Sequence, residues 1–352
     1  MNRRTIIPAF LMLLAGCSKL YDLPEDRDYL SDNATYTATR FTAVLGRTTL
    51  LGNFSADNSN LPLTFEIKNA RNADGTTTEA FRQRAAVDVW IEPYNGLENS
   101  LADINAKRKQ EERPVFEVLK SGEFVLWNTA VNNNFLKSGN DSTYFFDVQV
   151  SNGGGSKTVR RLELVPLRER PYEPSTHIDP FSGLPLFELN GQEKRLLPNL
   201  LSGMRGASTN RTLVREENAN LATVRQDCWV YFKRKGDGNS LSFKFMDRDS
   251  LPIDPARFNG TKWNTLLHGF NMQLLPDAVR YDVAYPIPLT RLPTQYTTSD
   301  GLQATVAFSY NRIGFSGQRE TGNLGLSFNI WQPGDWEIIF FFHNETPKFD
   351  NE

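Results

Sequence analysis

Cysteine is all but missing from this chain. Only Cys17 and Cys228 occur in 352 residues, and Cys17 closes an apolar N-terminal run, so Cys228 is left without a partner for an internal disulfide. Stability outside the cytoplasm must then come from a core large enough to do without a bridge. Cys228 lies in Asp227-Cys228-Trp229-Val230-Tyr231-Phe232, an apolar setting that reads as a buried small hydrophobe rather than a nucleophile. Histidine is as scarce: His177, His268 and His343 are the only ones, none within four residues of another, which argues against a transition-metal site. Asp247, Asp249 and Asp254 lack the full ligand series of a calcium loop. There is no Gly-x-Ser-x-Gly elbow, no phosphate-cradling glycine loop and no dinucleotide fingerprint. No basic stripe of the kind nucleic acid requires is present, so nucleic acid is not an expected partner. No catalytic residue, cofactor or metal is indicated.

Long apolar runs are lacking too. The longest, Thr5 to Ala15, has 11 residues, about half of the ~20 that cross a bilayer. Behind the basic head Asn2-Arg3-Arg4 it has the proportions of a signal peptide. Leu14-Ala15-Gly16-Cys17 resembles the lipobox of bacterial lipoproteins, whose cysteine is acylated after cleavage just before it. The resemblance implies that residues 1–16 are a lipoprotein signal peptide and that Cys17 carries the lipid. Acyl chains contribute about 0.8 kcal/mol per buried CH₂, and two or more make attachment to a membrane stable. Residues 17–34 follow as a tether with Asp22, Glu25, Asp26, Asp28 and Asp32 and no period of either kind. Lys19 followed by Asp22 resembles, loosely, the lysine and acids that follow the acylated cysteine in surface lipoproteins of Bacteroidetes.

What the rest of the chain has in plenty is alternation. Leu63, Phe65 and Ile67 share one face, and Val87, Val89 and Ile91 repeat the pattern, as strands with one face in a core do. Further strands are expected at 115–119, 124–127, 143–150 and 158–165, the last two closed into a hairpin by the glycine-rich 151–156 loop. One helix is expected after Ser100 as N-cap, with the charged run 107–112 as its solvated face and Pro114 as its stop. Residues 35–170 therefore read as an immunoglobulin-like β-sandwich with a short helical insertion. Arg170-Pro171-Tyr172-Glu173-Pro174 is the best boundary. Residues 171–222 read as an irregular connector with a short helix at 196–204. Residues 223–352 read as a second β-sandwich, with strands 224–234 and 240–246 joined as a hairpin through 235–239. Trp336 to His343, apolar on both faces, is expected in the middle of that module. The fold class is mainly β, in two sandwich domains.

Aromatic rings are the better functional clue, because a flat ring can stack on the apolar face of a sugar. Trp90, Trp127, Trp229 and Trp336 fall inside strands and are assigned to the core. Trp263, Tyr296 and Trp331 fall in polar loops or beside a turn and are the ligand-binding candidates. Glu188, Asp227, Glu337 and Glu345 lie in or beside apolar segments where burial would raise a carboxyl. The lipobox, the segment Trp90 to Glu98, the segment Gly122 to Asn128 and the segment Gly334 to Ile339 together resemble a family of Bacteroidetes lipoproteins known as a domain of unknown function, whose members resemble accessory lipoproteins of Sus-type glycan uptake loci. That resemblance implies a lipid-anchored protein at the outer membrane and cell surface, a non-catalytic binder of carbohydrate or nutrient, with an outer-membrane transporter or its lipoprotein partner nearby. A surface adhesion or assembly protein is one alternative. A glycan-active enzyme, which needs two carboxylates in one open groove, is the other.

Overall fold

In the computed structural model, which describes residues 28–131, 134–139, 142–188, 191–219 and 223–352, period-two patterning becomes strand almost wherever the sequence shows it. Strand Tyr144–Asn152 buries Tyr144, Phe146, Val148 and Val150, and strand Gly155–Leu167 buries Leu162 and Leu164. The two close into the expected hairpin, paired as far as Asn152 opposite Gly155. Thr64–Arg71 adds antiparallel on one side and Arg40–Val44 adds parallel on the other, completing a four-stranded sheet. Thr49–Leu51, Phe124–Leu126 and Phe116–Val118 form a three-stranded antiparallel sheet. The Phe146 ring lies 5.2 Å from that of Phe124 and 5.4 Å from that of Phe116, so the two sheets face one another across a single core. Four strands on three is the count of a constant-type immunoglobulin sandwich.

The helical insertion is shorter than the sequence suggests. Ser100 caps helix Leu101–Ala106, its hydroxyl accepting from the Asp103 amide at 3.1 Å. The charged run beyond it is not helix: Arg108–Pro114 is a strand, paired antiparallel along its whole length with Arg84–Trp90. Of the fourteen residues in this ribbon only Val87 is buried, so charge occupies both faces of the second strand. Ile91, expected on the core face with Val87, is 53% exposed because the strand ends at Trp90.

The second core holds residues from Leu196 to Phe349. Its five-stranded sheet runs Trp229–Gly236, Asp335–Phe341, Ser240–Met246, Val279–Asp282 and Phe270–Leu274. Asp335–Phe341 is paired on both edges, antiparallel to 229–236 and parallel to 240–246. It is therefore an interior strand, as its apolar faces demand, and the hairpin expected between 229–236 and 240–246 does not form because this strand lies between them. Opposite stands the long hairpin of Ala304–Ile313 and Arg319–Ile330, with Leu200–Ser202 and Tyr172–Glu173 on the outer edge of 319–330. Phe308 meets Phe243, Phe245 and Phe340 across the gap at 5.4, 5.0 and 5.3 Å. Each fully buried phenylalanine contributes about 1.5–3 kcal/mol, so this aromatic layer holds the second sandwich together.

The short helix expected at 196–204 is replaced by extended chain. Leu196 bridges Val230, and Leu200–Ser202 pairs with Asn323 to Gly325, which a helix interrupted by Pro198 could not do. Leu196, Met204 and Leu213 are buried in the second core, so this part of the connector packs as part of the second sandwich. No helix among the described residues is long and apolar enough to cross a membrane.

Candidate functional site: a tryptophan-lined cleft between the sandwiches

Three tryptophans stand where strands end. Trp90 is the last residue of Arg84–Trp90, Trp127 follows Phe124–Leu126 and Trp331 follows Arg319–Ile330. A ring at a strand end is not enclosed by the next rung of the ladder, and all three are half-buried. They line one cleft of about 800 Å³, with Trp90 and Trp127 from the first sandwich and Trp331 from the second. Trp90 and Trp127, assigned to the core from their place in strands, are thus cleft residues, while Trp336, 3% exposed, is core as expected. Trp229 is half-buried, its ring stacked 3.5 Å from that of His343.

Two arginines of the first sandwich tie the walls together. Arg47, in the turn after Arg40–Val44, donates to a Glu173 carboxylate oxygen at 2.8 Å and to the Arg170 carbonyl at 3.2 Å, with its guanidinium 4.8 Å from the centre of the Trp331 ring. Arg108 donates to the Tyr285 carbonyl at 3.0 Å and lies 5.4 Å from the centre of the Trp90 ring. Burial pulls both guanidinium groups down from their ordinary value, opposed by Glu173 in one case and Asp88 in the other. Polar groups complete the wall: Asp88, Asn128, Thr290, Asp300, Gln303 and Asn329. Asp300 accepts from the Thr298 hydroxyl at 2.5 Å and the Leu302 amide at 3.0 Å, and these bonds hold its carboxyl below the usual range.

Four cleft-lining residues carry a buried polar atom with no hydrogen-bond partner among the described residues: Nε of Arg47, Nε of Arg108, Nε1 of Trp331 and Oγ1 of Thr290. Such groups cost about 1–3 kcal/mol each, and their gathering in one wall singles the cleft out.

The sequence-derived candidates separate. Trp331 is in the cleft. Tyr296 is one segment away, in a joint between the sandwiches that shares Pro286, Pro288, Leu289 and Thr290 with the cleft wall. There its ring stacks on His268 at 5.3 Å and 7°. His268 Nε2 faces the Glu98 carbonyl at 2.9 Å and so carries the proton, which leaves Nδ1 to accept from the Tyr94 hydroxyl at 2.5 Å. Trp263 lines neither cavity; it packs on the second core 5.7 Å from Phe308, and its carbonyl accepts from the Tyr281 hydroxyl at 2.6 Å.

None of the carboxylates flagged from sequence lines the cleft. Asp227 is fully buried with Arg211 and Arg225, Glu337 pairs with Lys244 at 3.0 Å, and Glu188 closes a turn with Gln192. Burial would raise the Glu345 carboxyl, but hydrogen bonds from Ser208 and Thr209 outweigh it and hold it low, opposite to the expectation from its apolar setting. Asp247 accepts from the Asp249 and Leu251 amides at 3.0 and 2.8 Å, and Asp254 caps a short 3₁₀ turn by accepting from the Ala256 amide. No group of three His, Cys, Asp or Glu side chains able to hold a metal occurs among the described residues. Cys228 is fully buried, and burial pushes its thiol up; Cys17 lies outside the described residues.

Sequence reasoning missed Arg47, an isolated arginine without a local pattern, and Arg108, which it assigned with the charged run 107–112 to the solvated face of a helix. It also missed Trp90 and Trp127, whose position at a strand end followed by polar residues is the signal that could have found them. No curated protein and no solved structure matches the chain. Residues 54–351 match the model of a family, and the chain belongs to it: Domain of unknown function (DUF5007).

Proposed function

We propose that this is a lipid-anchored lipoprotein of the outer membrane surface whose inter-sandwich cleft binds carbohydrate, as the non-catalytic binding component of a glycan uptake system. The observation that carries the reading is the convergence of Trp90, Trp127 and Trp331, from both sandwiches, on a cleft of about 800 Å³ whose remaining wall is amide, hydroxyl, carboxylate and guanidinium. That size lies within the ~300–1,000 Å³ of small-molecule sites, and the mixture of flat rings with convergent polar groups is what a sugar's two faces require. The N-terminal basic head, short apolar run and Leu14-Ala15-Gly16-Cys17 support the anchor and the address.

Asp88 and Asp300 both line the cleft, which brings the enzyme alternative to a test. A glycosidase acid must hold its proton near neutral pH. Asp300 does the reverse, because Thr298 and Leu302 stabilise its ionised form. Asp300 is therefore unsuited to be the acid of such a pair.

The test is a glycan array followed by calorimetry on protein beginning at Leu20. Trp331→Ala should weaken the best-bound glycan by about thirtyfold, about 2 kcal/mol for a central aromatic anchor, while circular dichroism stays unchanged. Failure to retain any glycan, with no transporter co-purifying from detergent extracts of the full-length protein, would sink the reading. The anchor is tested separately: palmitate label should enter the wild-type chain and not Cys17→Ser.

A further inference from the structure

The chemistry of the cleft wall narrows the ligand further, and this step rests on the carbohydrate reading above. The unpartnered nitrogens of the wall, Arg47 Nε, Arg108 Nε and Trp331 Nε1, are all hydrogen-bond donors with no acceptor capacity. Only an oxygen that accepts can satisfy them. Two of the wall's carboxylates, in contrast, have company. Asp300 Oδ1 accepts from the Thr298 hydroxyl and the Leu302 amide, and Asp88 lies close enough to oppose the effect of burial on the Arg108 guanidinium. Glu173 answers Arg47 in the same way.

That leaves one cation. Arg291 lines the cleft, is exposed, and enters no ion pair among the described residues. We infer that the cleft selects carboxylate-bearing sugars, the uronic acids, with Arg291 meeting the carboxylate and the tryptophan rings stacking on the sugar faces. A guanidinium presents paired donors that match a carboxylate, and such charge-assisted bonds are about twice as strong as neutral ones. A neutral hexose offers Arg291 no charge to meet.

Oligogalacturonide, alginate oligomers and hyaluronan fragments would each be titrated calorimetrically beside the carboxyl-reduced, neutral form of the same polymer. At least one acidic chain should bind, and reduction of its carboxyls should weaken it about tenfold or more. Arg291→Gln, an exposed change that leaves the core untouched, should cost a similar factor against the acidic chain and nothing against its reduced form. Binding of the acidic chain should also fall as salt is raised. Equal affinity for native and reduced chains, or binding of neutral glycans alone, overturns the uronate assignment and leaves the carbohydrate reading standing. Binding of no chain here, together with an empty glycan array and no co-purifying transporter, overturns both.

Discussion

The Arg47 guanidinium touches both sandwiches, and its partner Glu173 makes that contact sensitive to acid. Burial alone would raise the Glu173 carboxyl, but hydrogen bonds from Arg47 and Ser175 and the charges of Arg170 and Arg47 outweigh it and hold it below the ordinary range. Asp147 behaves alike: burial is overcome by the Asn69 side chain, the Arg161 amide and the charges of Arg71 and Arg160. A carboxyl whose value is lower folded than unfolded contributes in full above its unfolded value, and the contribution is lost as pH falls through the folded one. The melting temperature should therefore decline as pH drops below about 4–5. Glu173→Gln should melt lower at neutral pH and decline less steeply in acid, as read by scanning calorimetry. Cys228 offers a second residue-level check. Enclosed and held as a thiol by burial, it should stay silent to Ellman's reagent in the folded protein and react only after denaturant is added.

Among the elements, those legible in the sequence were those with one wet face and one dry one. Ala304–Ile313 alternates with Val306, Phe308 and Tyr310 inward, and its register with 319–330 follows from the pattern. The ribbon of 84–90 and 108–114 was illegible for the opposite reason. With solvent on both faces its second strand has no apolar side, and a charged run behind a capped helix looks like more helix. Long-range pairing was hidden as well, since nothing local says that 335–341 separates 229–236 from 240–246. The energetics should follow these differences. Phe340→Ala removes a ring buried between two sheets and should cost about 3–5 kcal/mol in urea melts. Ser100→Ala, which removes the cap of a six-residue helix, should cost only about 1 kcal/mol.

For the whole molecule, the site was less legible than the fold because it belongs to neither sandwich alone. Trp331 could be picked out by its turn, but the rings that share its cleft lie more than two hundred positions earlier. A single-module reading sends Trp90 to the core for want of any other neighbour. The joint formed by Tyr94, Glu98, His268 and Tyr296 fixes one side of the cleft, so Tyr94→Phe should loosen the two sandwiches without unfolding either. Limited proteolysis should then cut faster near residues 170–175 than in the wild type, with the melting temperature of each core little changed.

The strand order of the second sheet also constrains how the chain is made. The strands 229–236 and 240–246 leave the ribosome side by side, yet the strand that must separate them follows about 90 residues later. At translation speeds of about 5–20 residues per second that is a wait of roughly 5–20 seconds. Throughout it, two strands rich in Trp, Tyr and Phe must stay apart and refuse the hairpin that their sequence invites. A nascent chain of this kind is exposed to mispairing for most of the time its second half is being synthesised, and it is a natural client for whatever holds unfolded chains open.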